Sequence, residues 1–321
     1  MGTRLAFLLL PAVMVLAVWL HRAIAGNRTL VWALCGTALL VPFLLPVSAL
    51  GLRTVAVGYA LVLCIRLADL FNERLDPSMM RSRLRIFLAV VLPHPSSVPD
   101  AAAARNLVRK NGLMRLLRCG FKTLCLACLL LFKPLWIANG ASASLGLAFQ
   151  IYFMASGLAD LSSGLFMLAG VDAREIFNAP FLAQSPTDFW AHRWNLLVSE
   201  FLRRTFFLPL ARNGAPVLGM LFVFLQSGVA HEYFVAGILG LENYAPFRML
   251  AFFTAQGIAI VLLRSHPVFR RLSRALHRPG RIAVHYGWVL ITSPLFSGPI
   301  APILDAFDAF VAPYLGIISF R

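Results

Sequence analysis

A histidine and a glutamate stand side by side within an apolar stretch of the chain. His231 and Glu232 follow the run Leu221-Phe-Val-Phe-Leu-Gln-Ser-Gly-Val-Ala, late in a segment long enough to cross a membrane. Ionisable side chains are costly inside a bilayer, so this pair indicates a functional site. Imidazole is suited to general acid and base chemistry near neutral pH. A lone structural histidine is the alternative interpretation.

Polar and aromatic residues are concentrated in a second segment, Ser185-Pro-Thr-Asp-Phe-Trp-Ala-His-Arg-Trp-Asn195. Tryptophan and arginine are favoured at membrane interfaces, and the Pro and Asp can cap a helix that begins near Phe189, so a purely structural explanation exists. That explanation does not account for Asn195 followed by the segment 196–210. We expect residues 196–210 to be re-entrant, dipping into the membrane without crossing it.

Other chemistries are weakly supported by the residues. The zinc signature HExxH is incomplete because Val235 occupies the position of the second histidine, and no metal is expected. Cys125 and Cys128 form a CxxC with no second pair, which indicates small buried side chains. The five cysteines are an odd number in or beside apolar runs, so a disulfide framework is not predicted.

The composition indicates an integral membrane protein. Hydrophobic residues make up 60% of the chain and charged residues 13%, with a mean hydropathy of +0.78. We predict an all-α transmembrane bundle with about eight or nine crossings, in one domain over residues 1–321. Residues 1–118 would hold N-terminal helices and a basic connection, and residues 119–321 the catalytic core. The predicted spans are 5–20, which stays uncleaved, 30–47, 52–68, 120–138, 144–169, 215–236, 247–263, 283–303 and 306–320.

The net charge of +16 lies mainly in the connections between predicted spans, which argues against a nucleic-acid partner. Three basic connections, at 74–118, 170–214 and 264–281, fall on the same side when the spans are counted. The positive-inside rule places that side in the cytoplasm. The cations would anchor the chain to membrane lipids, and a few would contact a phosphate-rich substrate. The pattern fits a bacterial inner membrane and an endoplasmic reticulum membrane equally well. A short helix is expected near 81–92, lying in the interface and ending at Pro93.

The two segments resemble the paired signatures of membrane-bound O-acyltransferases, in particular the wax synthase branch. The resemblance lies in Asp188-Phe-Trp-Ala-His-Arg-Trp-Asn195 and Gln226-Ser-Gly-Val-Ala-His231-Glu232, and it extends over residues 145–300. It implies an acyl-CoA:alcohol O-acyltransferase with a tunnel through the helices, His231 as the catalytic base and Asn195 as the second hallmark residue. Wax synthases usually carry Gly-Arg where this chain has Ala191-His192, so the role of His192 is open.

The chemistry agrees with these assignments, because an alcohol needs a base to take its proton as it attacks a thioester. Acyl-CoA would be the co-substrate, with no cofactor. The residues expected to contact substrate are Trp190, His192, Arg193, Trp194, Gln226, Ser227, Glu232 and Asp160. For Glu232 an indirect role is favoured, and for Asp160 a structural one. Alternatives are a short-chain acetyltransferase acting on a lipid, sterol or terpenoid, a proton-coupled transporter, and a lipid-binding membrane protein.

Overall fold

Helices make up the regular structure of the protein over residues 2–91, 95–137 and 140–315, the part that the computed structural model describes. In chain order they are α1 (Gly2–Trp19), α2 (His21–Ile24), α3 (Arg28–Leu40), α4 (Leu50–Phe71), α5 (Arg83–Val91), α6 (Ala102–Leu131), α7 (Lys133–Ile137), α8 (Gly140–Leu168), α9 (Pro186–His192), α10 (Leu196–Leu202), α11 (Leu208–Arg212), α12 (Pro216–Leu239), α13 (Arg248–Ser265), α14 (Pro267–Ala275) and α15 (Arg278–Val311). Short 3-10 turns cover Val41–Leu44, Met79–Arg81, Pro180–Leu182 and Ala312–Leu315, and a π-helical turn covers Arg203–Phe207. The all-α prediction is confirmed.

Five helical segments within the described ranges are long and apolar enough to cross a membrane: Leu50–Phe71, Ser142–Leu168, Pro216–Leu239, Arg248–Ser265 and Arg278–Leu315. Two shorter apolar segments, Leu8–Trp19 and Arg28–Leu44, correspond to the first two predicted spans. The total of eight or nine crossings stays a prediction. The segment 196–210 forms α10, the π-helical turn and most of α11, and its depth in the membrane also stays a prediction.

The span predicted at 120–138 overlaps the end of one long helix and the short helix after it. The helix α6 begins at Ala102 and runs for 30 residues to Leu131, and the short α7 follows it. Much of the predicted basic connection is therefore helical, because Ala, Leu, Arg and Lys are all strong helix formers. The predicted interfacial helix is α5, whose nine residues are too few to cross a bilayer.

The two spans predicted at 283–303 and 306–320 are not separate. The single helix α15 continues through Pro294, Pro299 and Pro302 for 34 residues. Proline is tolerated in membrane helices because neighbouring groups satisfy the backbone that it frees. The predicted helix end at Pro93, residue 138 of the span predicted at 120–138 and residues 316–320 of the last predicted span lie outside the described residues.

The chain divides into two compact units, and the single-domain prediction is not tested by this division. The first unit contains residues 1–128, 151–174 and 237–241. Its core is built on α1, α3 and α4, where Ala17, Ala38 and Ala60 are fully buried. Small side chains let membrane helices approach closely. The glycines Gly112 of α6 and Gly164 of α8 also face each other, since a Cβ on Gly112 would lie 3.0 Å from the Gly164 carbonyl.

The second unit contains residues 129–150, 175–236 and 242–321. Aromatic side chains dominate its core, where Phe224, Phe252, Phe253 and Ile260 are buried and Trp190 packs against them. Gln256 of α13 donates to Thr292 of α15 at 2.9 Å, which joins these two helices. This unit holds both segments that the sequence predicts to carry chemistry.

Candidate active site

His231 lies on α12 with one ring nitrogen bonded to its own helix. Its Nδ1 is 2.7 Å from the carbonyl oxygen of Ser227, one turn earlier. A carbonyl only accepts hydrogen bonds, so Nδ1 carries the proton in the neutral ring. The lone pair is then on Nε2, at the edge of the ring that points away from the helix backbone. This arrangement provides an oriented base.

Aromatic rings of two other helices pack on the imidazole. The centroid of the Phe253 ring, on α13, is 4.2 Å from that of His231, and the Phe296 ring of α15 is 6.2 Å away. These contacts fix the plane of the imidazole and keep water from that side. The imidazole therefore belongs to α12 and is packed by side chains of α13 and α15.

Asn195 caps α10 from an unusual backbone conformation. Its φ of 44° lies in the left-handed region, where Asn is among the best tolerated residues after Gly. The side-chain Oδ1 accepts from the backbone N–H of Val198 at 3.4 Å, as an N-cap. The cap uses only Oδ1, so the two N–H groups of Nδ2 can donate to another acceptor. The cap thus orients the amide as a hydrogen-bond donor.

His231 and Asn195 line the same cavity, which has a volume of about 260 Å³. Four of the residues predicted to bind substrate also line it, namely Trp190, His192, Trp194 and Ser227. Its remaining walls are mostly apolar: Ala191, Val198, Leu202, Phe207, Met220, Val223, Phe224 and Ile260. An imidazole and an amide donor therefore share one largely apolar cavity.

The helix α9 presents the indoles of the first motif to this cavity. Ser185 caps it by accepting from the backbone N–H of Asp188 at 3.1 Å. The helix therefore begins at Pro186, three residues before the predicted start near Phe189. Phe189 stacks on Trp194 at 5.3 Å between ring centroids and meets Trp190 edge to face at 4.9 Å. This aromatic stack holds the two tryptophans in the cavity wall.

Two of the residues predicted to bind substrate, Arg193 and Glu232, do not line the cavity and make contacts within the protein. Arg193 pairs with Asp188 at 3.0 Å and donates to the carbonyl of Ala179 at 3.2 Å, which ties α9 to the preceding loop. Glu232 accepts a hydrogen bond from the backbone N–H of Leu250 at 3.0 Å, at the start of α13.

Tyr244 lies in the loop before α13, near Glu232. Burial raises the pKa of the Tyr244 hydroxyl, and the negative charge of the Glu232 carboxylate raises it further.

Gln226 and Asp160, the other two residues predicted to bind substrate, are not among the residues that line the cavity. Gln226 is half-buried on α12. Asp160 lies in the first unit, where its carboxylate is 2.6 Å from Lys122, 3.0 Å from Arg118 and 4.0 Å from Arg115. Asp160 is thus the centre of a buried ion cluster.

Sequence reasoning missed four polar residues of the cavity wall, Thr187, Ser199, Arg203 and Arg264. Both arginines are exposed, and they come from the π-helical turn after α10 and from the last turn of α13. Cations at the ends of apolar helices were a usable signal. Nothing in the sequence indicated which of the many arginines would line the same cavity. Over the described residues, no three His, Cys, Asp or Glu side chains come together as metal ligands.

The geometry defines an α-helical membrane protein with an imidazole in an apolar cavity, and comparison with known proteins gives its relatives. Residues 173–254, which include both motifs, match the membrane bound O-acyl transferase family. Over 139 residues the chain is 32% identical to the probable long-chain-alcohol O-fatty-acyltransferase 2 of Arabidopsis thaliana, covering 38% of this chain and 39% of the relative. These matches confirm the resemblance to the wax synthase branch and identify an integral membrane protein.

Two further relatives act, by their names, on different acceptors. The acyl-CoA–sterol O-acyltransferase 1 of Arabidopsis thaliana is 32% identical over 120 residues, which is 34% of each chain. The peptidoglycan O-acetyltransferase of Helicobacter pylori is 34% identical over 92 residues, 27% of this chain and 17% of the relative. The matched segments thus cover between 17% and 39% of the three relatives' lengths.

Proposed function

We propose that the protein is a membrane O-acyltransferase that moves a fatty acyl group from acyl-CoA to the hydroxyl of a long-chain alcohol or similar hydrophobic acceptor, forming a wax-type ester. The observation that carries this proposal is the shared cavity of His231 and Asn195, with Nε2 left as the basic nitrogen by the bond from Nδ1 to Ser227. The basic connections would face the cytoplasm, where acyl-CoA is found.

In the proposed reaction, Nε2 of His231 takes the proton of the acceptor hydroxyl as its oxygen attacks the thioester carbonyl. The carbonyl oxygen becomes an oxyanion, which accepts a hydrogen bond from Nδ2 of Asn195. The tetrahedral intermediate then expels the CoA thiolate, and the protonated His231 returns the proton to that sulfur. The base is regenerated and no other reactant is needed.

The opening and the wall of the cavity support this pair of substrates. Arg203 and Arg264 are exposed at the cavity and can bind the phosphates of acyl-CoA, since guanidinium groups bind phosphate through paired hydrogen bonds. His192 is also exposed and lines the same cavity, so it can add a third contact. The apolar residues of the wall suit the alkyl chains of the acyl group and the alcohol. Membrane lipids would surround the protein.

The function is tested with purified protein in detergent, labelled acyl-CoA of several chain lengths and a panel of fatty alcohols and a sterol. We expect ester formation with long-chain alcohols and its loss in His231→Ala, by about 100-fold or more. The matched control is His277→Ala, because His277 is exposed and makes no side-chain cap. Full activity of His231→Ala would exclude the proposed base, and no ester with any pair of substrates would exclude the function.

A short-chain acetyltransferase is the second candidate, favoured by the match to the peptidoglycan O-acetyltransferase. The same panel decides between the two candidate functions, because a short-chain acetyltransferase would prefer acetyl-CoA over long acyl-CoA.

The proposed roles of Arg203 and Arg264 are tested separately. Arg203→Gln and Arg264→Gln should each raise the KM for acyl-CoA by about tenfold, equivalent to ~1.4 kcal/mol, but not for an acyl-pantetheine that lacks the nucleotide. The exposed Arg109→Gln should change neither KM.

A further inference from the structure

The helix α13 begins without a side-chain cap of its own. Phe247 occupies the N-cap position in a left-handed conformation, with φ of 68°, and makes no capping hydrogen bond. The first turn of α13 contains no acidic residue. The first N–H groups of a helix have no acceptor within it, so an apolar helix that starts this way needs an acceptor from elsewhere.

Glu232 of α12 supplies that acceptor. Its Oε1 lies 3.0 Å from the backbone nitrogen of Leu250, the third residue of α13. A carboxylate at this end of a helix also interacts favourably with the helix dipole. The backbones touch at the same place, because a Cβ on Gly228 would lie 2.9 Å from the Leu250 Cα. The bond from Glu232 and the absence of a side chain at Gly228 together fix where α13 lies against α12.

The helix that is fixed in this way carries part of the candidate active site. Phe253, one turn after Leu250, packs on the His231 ring at 4.2 Å between centroids. Ile260 and Arg264 of the same helix line the cavity. A shift at the start of α13 would therefore move the ring that holds the imidazole in place.

We propose that Glu232 is a positioning residue, which caps α13 and thereby holds Phe253 against His231. The inference rests on the proposed function, because it assigns the purpose of that placement to the His231 base. A direct bond from Glu232 to the imidazole is not needed, since Nδ1 is already engaged with the Ser227 carbonyl. The carboxylate acts on the histidine through a neighbouring helix.

Substitution of Glu232 separates its hydrogen bond from its charge. In Glu232→Gln the amide oxygen still accepts from Leu250. The other oxygen of Glu232, Oε2, is buried and has no hydrogen-bond partner among the described residues. Glu232→Gln therefore breaks no bond there, but its buried NH2 group gains no acceptor and should lower the unfolding temperature without removing the cap. We expect Glu232→Ala to lower kcat by roughly 10- to 100-fold with little change in KM, because misplacement of a catalytic group affects the chemical step. We expect Glu232→Gln to stay within about threefold of the parent, which the near-unchanged hydrogen bond implies.

A second substitution tests whether the missing cap is the cause. Asn195 shows that this chain can cap a helix from a left-handed residue, by accepting from the N–H three positions later. Phe247 is likewise a left-handed N-cap residue, and Leu250 is three positions after it. In Glu232→Ala with Phe247→Asn, the new amide can cap α13 from within, so about tenfold or more of the lost kcat should return. Phe247→Asn alone should leave kcat near the parent value.

Hydrogen exchange of the backbone amides in the peptide that covers residues 248–253 gives a readout independent of activity. We expect faster exchange in Glu232→Ala, and parent-like exchange in Glu232→Gln and in the double variant. If Glu232→Gln is as impaired as Glu232→Ala, or if the double variant regains no activity while its exchange is restored, the positioning role is refuted. The proposed function fails separately if His231→Ala keeps full activity, whatever the Glu232 variants do.

Discussion

Substitutions at Asn195 should separate the stability of α10 from activity. The side chain has two structural tasks, a left-handed backbone with φ of 44° and the cap on Val198. It also has the proposed task of donating from Nδ2 to the oxyanion. Asp performs both structural tasks, because it is as good an N-cap as Asn and tolerates left-handed backbone. Asp has no N–H to donate.

The magnitudes follow from those three tasks. Asn195→Ala should lose about 1 kcal/mol from the cap and another ~1 kcal/mol from the left-handed residue, so about 2 kcal/mol in the free energy of unfolding. Asn195→Gly should lose only a few tenths of a kcal/mol, since Gly is tolerated in both positions. Asn195→Asp should be as stable as the parent. All three should lower kcat by about 100- to 1000-fold, the cost of removing one oxyanion donor.

The assay compares thermal unfolding in detergent with steady-state ester formation for the four proteins. The decisive variant is Asn195→Asp, because its fold is expected to be intact. If it keeps more than about a third of the parent kcat, an effect far below that of a lost oxyanion donor, Asn195 is only a helix cap. If its unfolding temperature falls as far as that of Asn195→Ala, the structural reasoning is wrong instead.

Three further outcomes concern packing and buried charge, and each is measured by unfolding in detergent. Arg53→Met should cost about 3 kcal/mol, because the buried guanidinium donates to the carbonyls of Gly237 at 2.7 Å and of Leu45 at 3.1 Å, and both would lose a charged donor. Asp160→Asn should cost about 3 to 5 kcal/mol, because buried cations would lose their carboxylate; a parent-like unfolding curve would contradict this. Gly228→Ala should cost about 1 to 3 kcal/mol, since its Cβ would meet the backbone of Leu250, whereas Gly120→Ala, with nothing within 4 Å, should be neutral or stabilising.

The apolar runs predicted the long helices well, because a span of lipid demands both length and low polarity. The sequence placed α4, α8, α12 and α13 to within a few residues. The prediction of helix ends was inaccurate where a helix extends beyond its apolar run. The basic first half of α6 was predicted to be a connection, and α15 was predicted as two spans divided at residues 304–305. Helix propensity and tertiary support, rather than hydropathy, decide those two cases.

The pairing of side chains was much harder to predict than the helices. The motifs nominated Arg193 and Glu232 for substrate contact, but each has a partner in the folded chain that sequence spacing does not reveal. Arg203 and Arg264 are 61 positions apart in the sequence, yet both line the cavity. Such long-range contacts leave no local periodic signal. The cost of an ionisable side chain inside a bilayer indicated His231, and the resemblance to a family of known chemistry supplied the expected roles of His231 and Asn195.

The central claim is that His231 takes the proton from an acceptor hydroxyl, and the dependence on acceptor acidity tests it most directly. The measurement compares the parent and His231→Ala with a fatty alcohol and with a fatty thiol of the same chain length, at saturating acyl-CoA. A thiol ionises far more readily than an alcohol and needs less help from a base. We predict that His231→Ala loses about 100-fold or more of its rate with the alcohol and less than about tenfold with the thiol. Equal losses with the two acceptors would contradict the account.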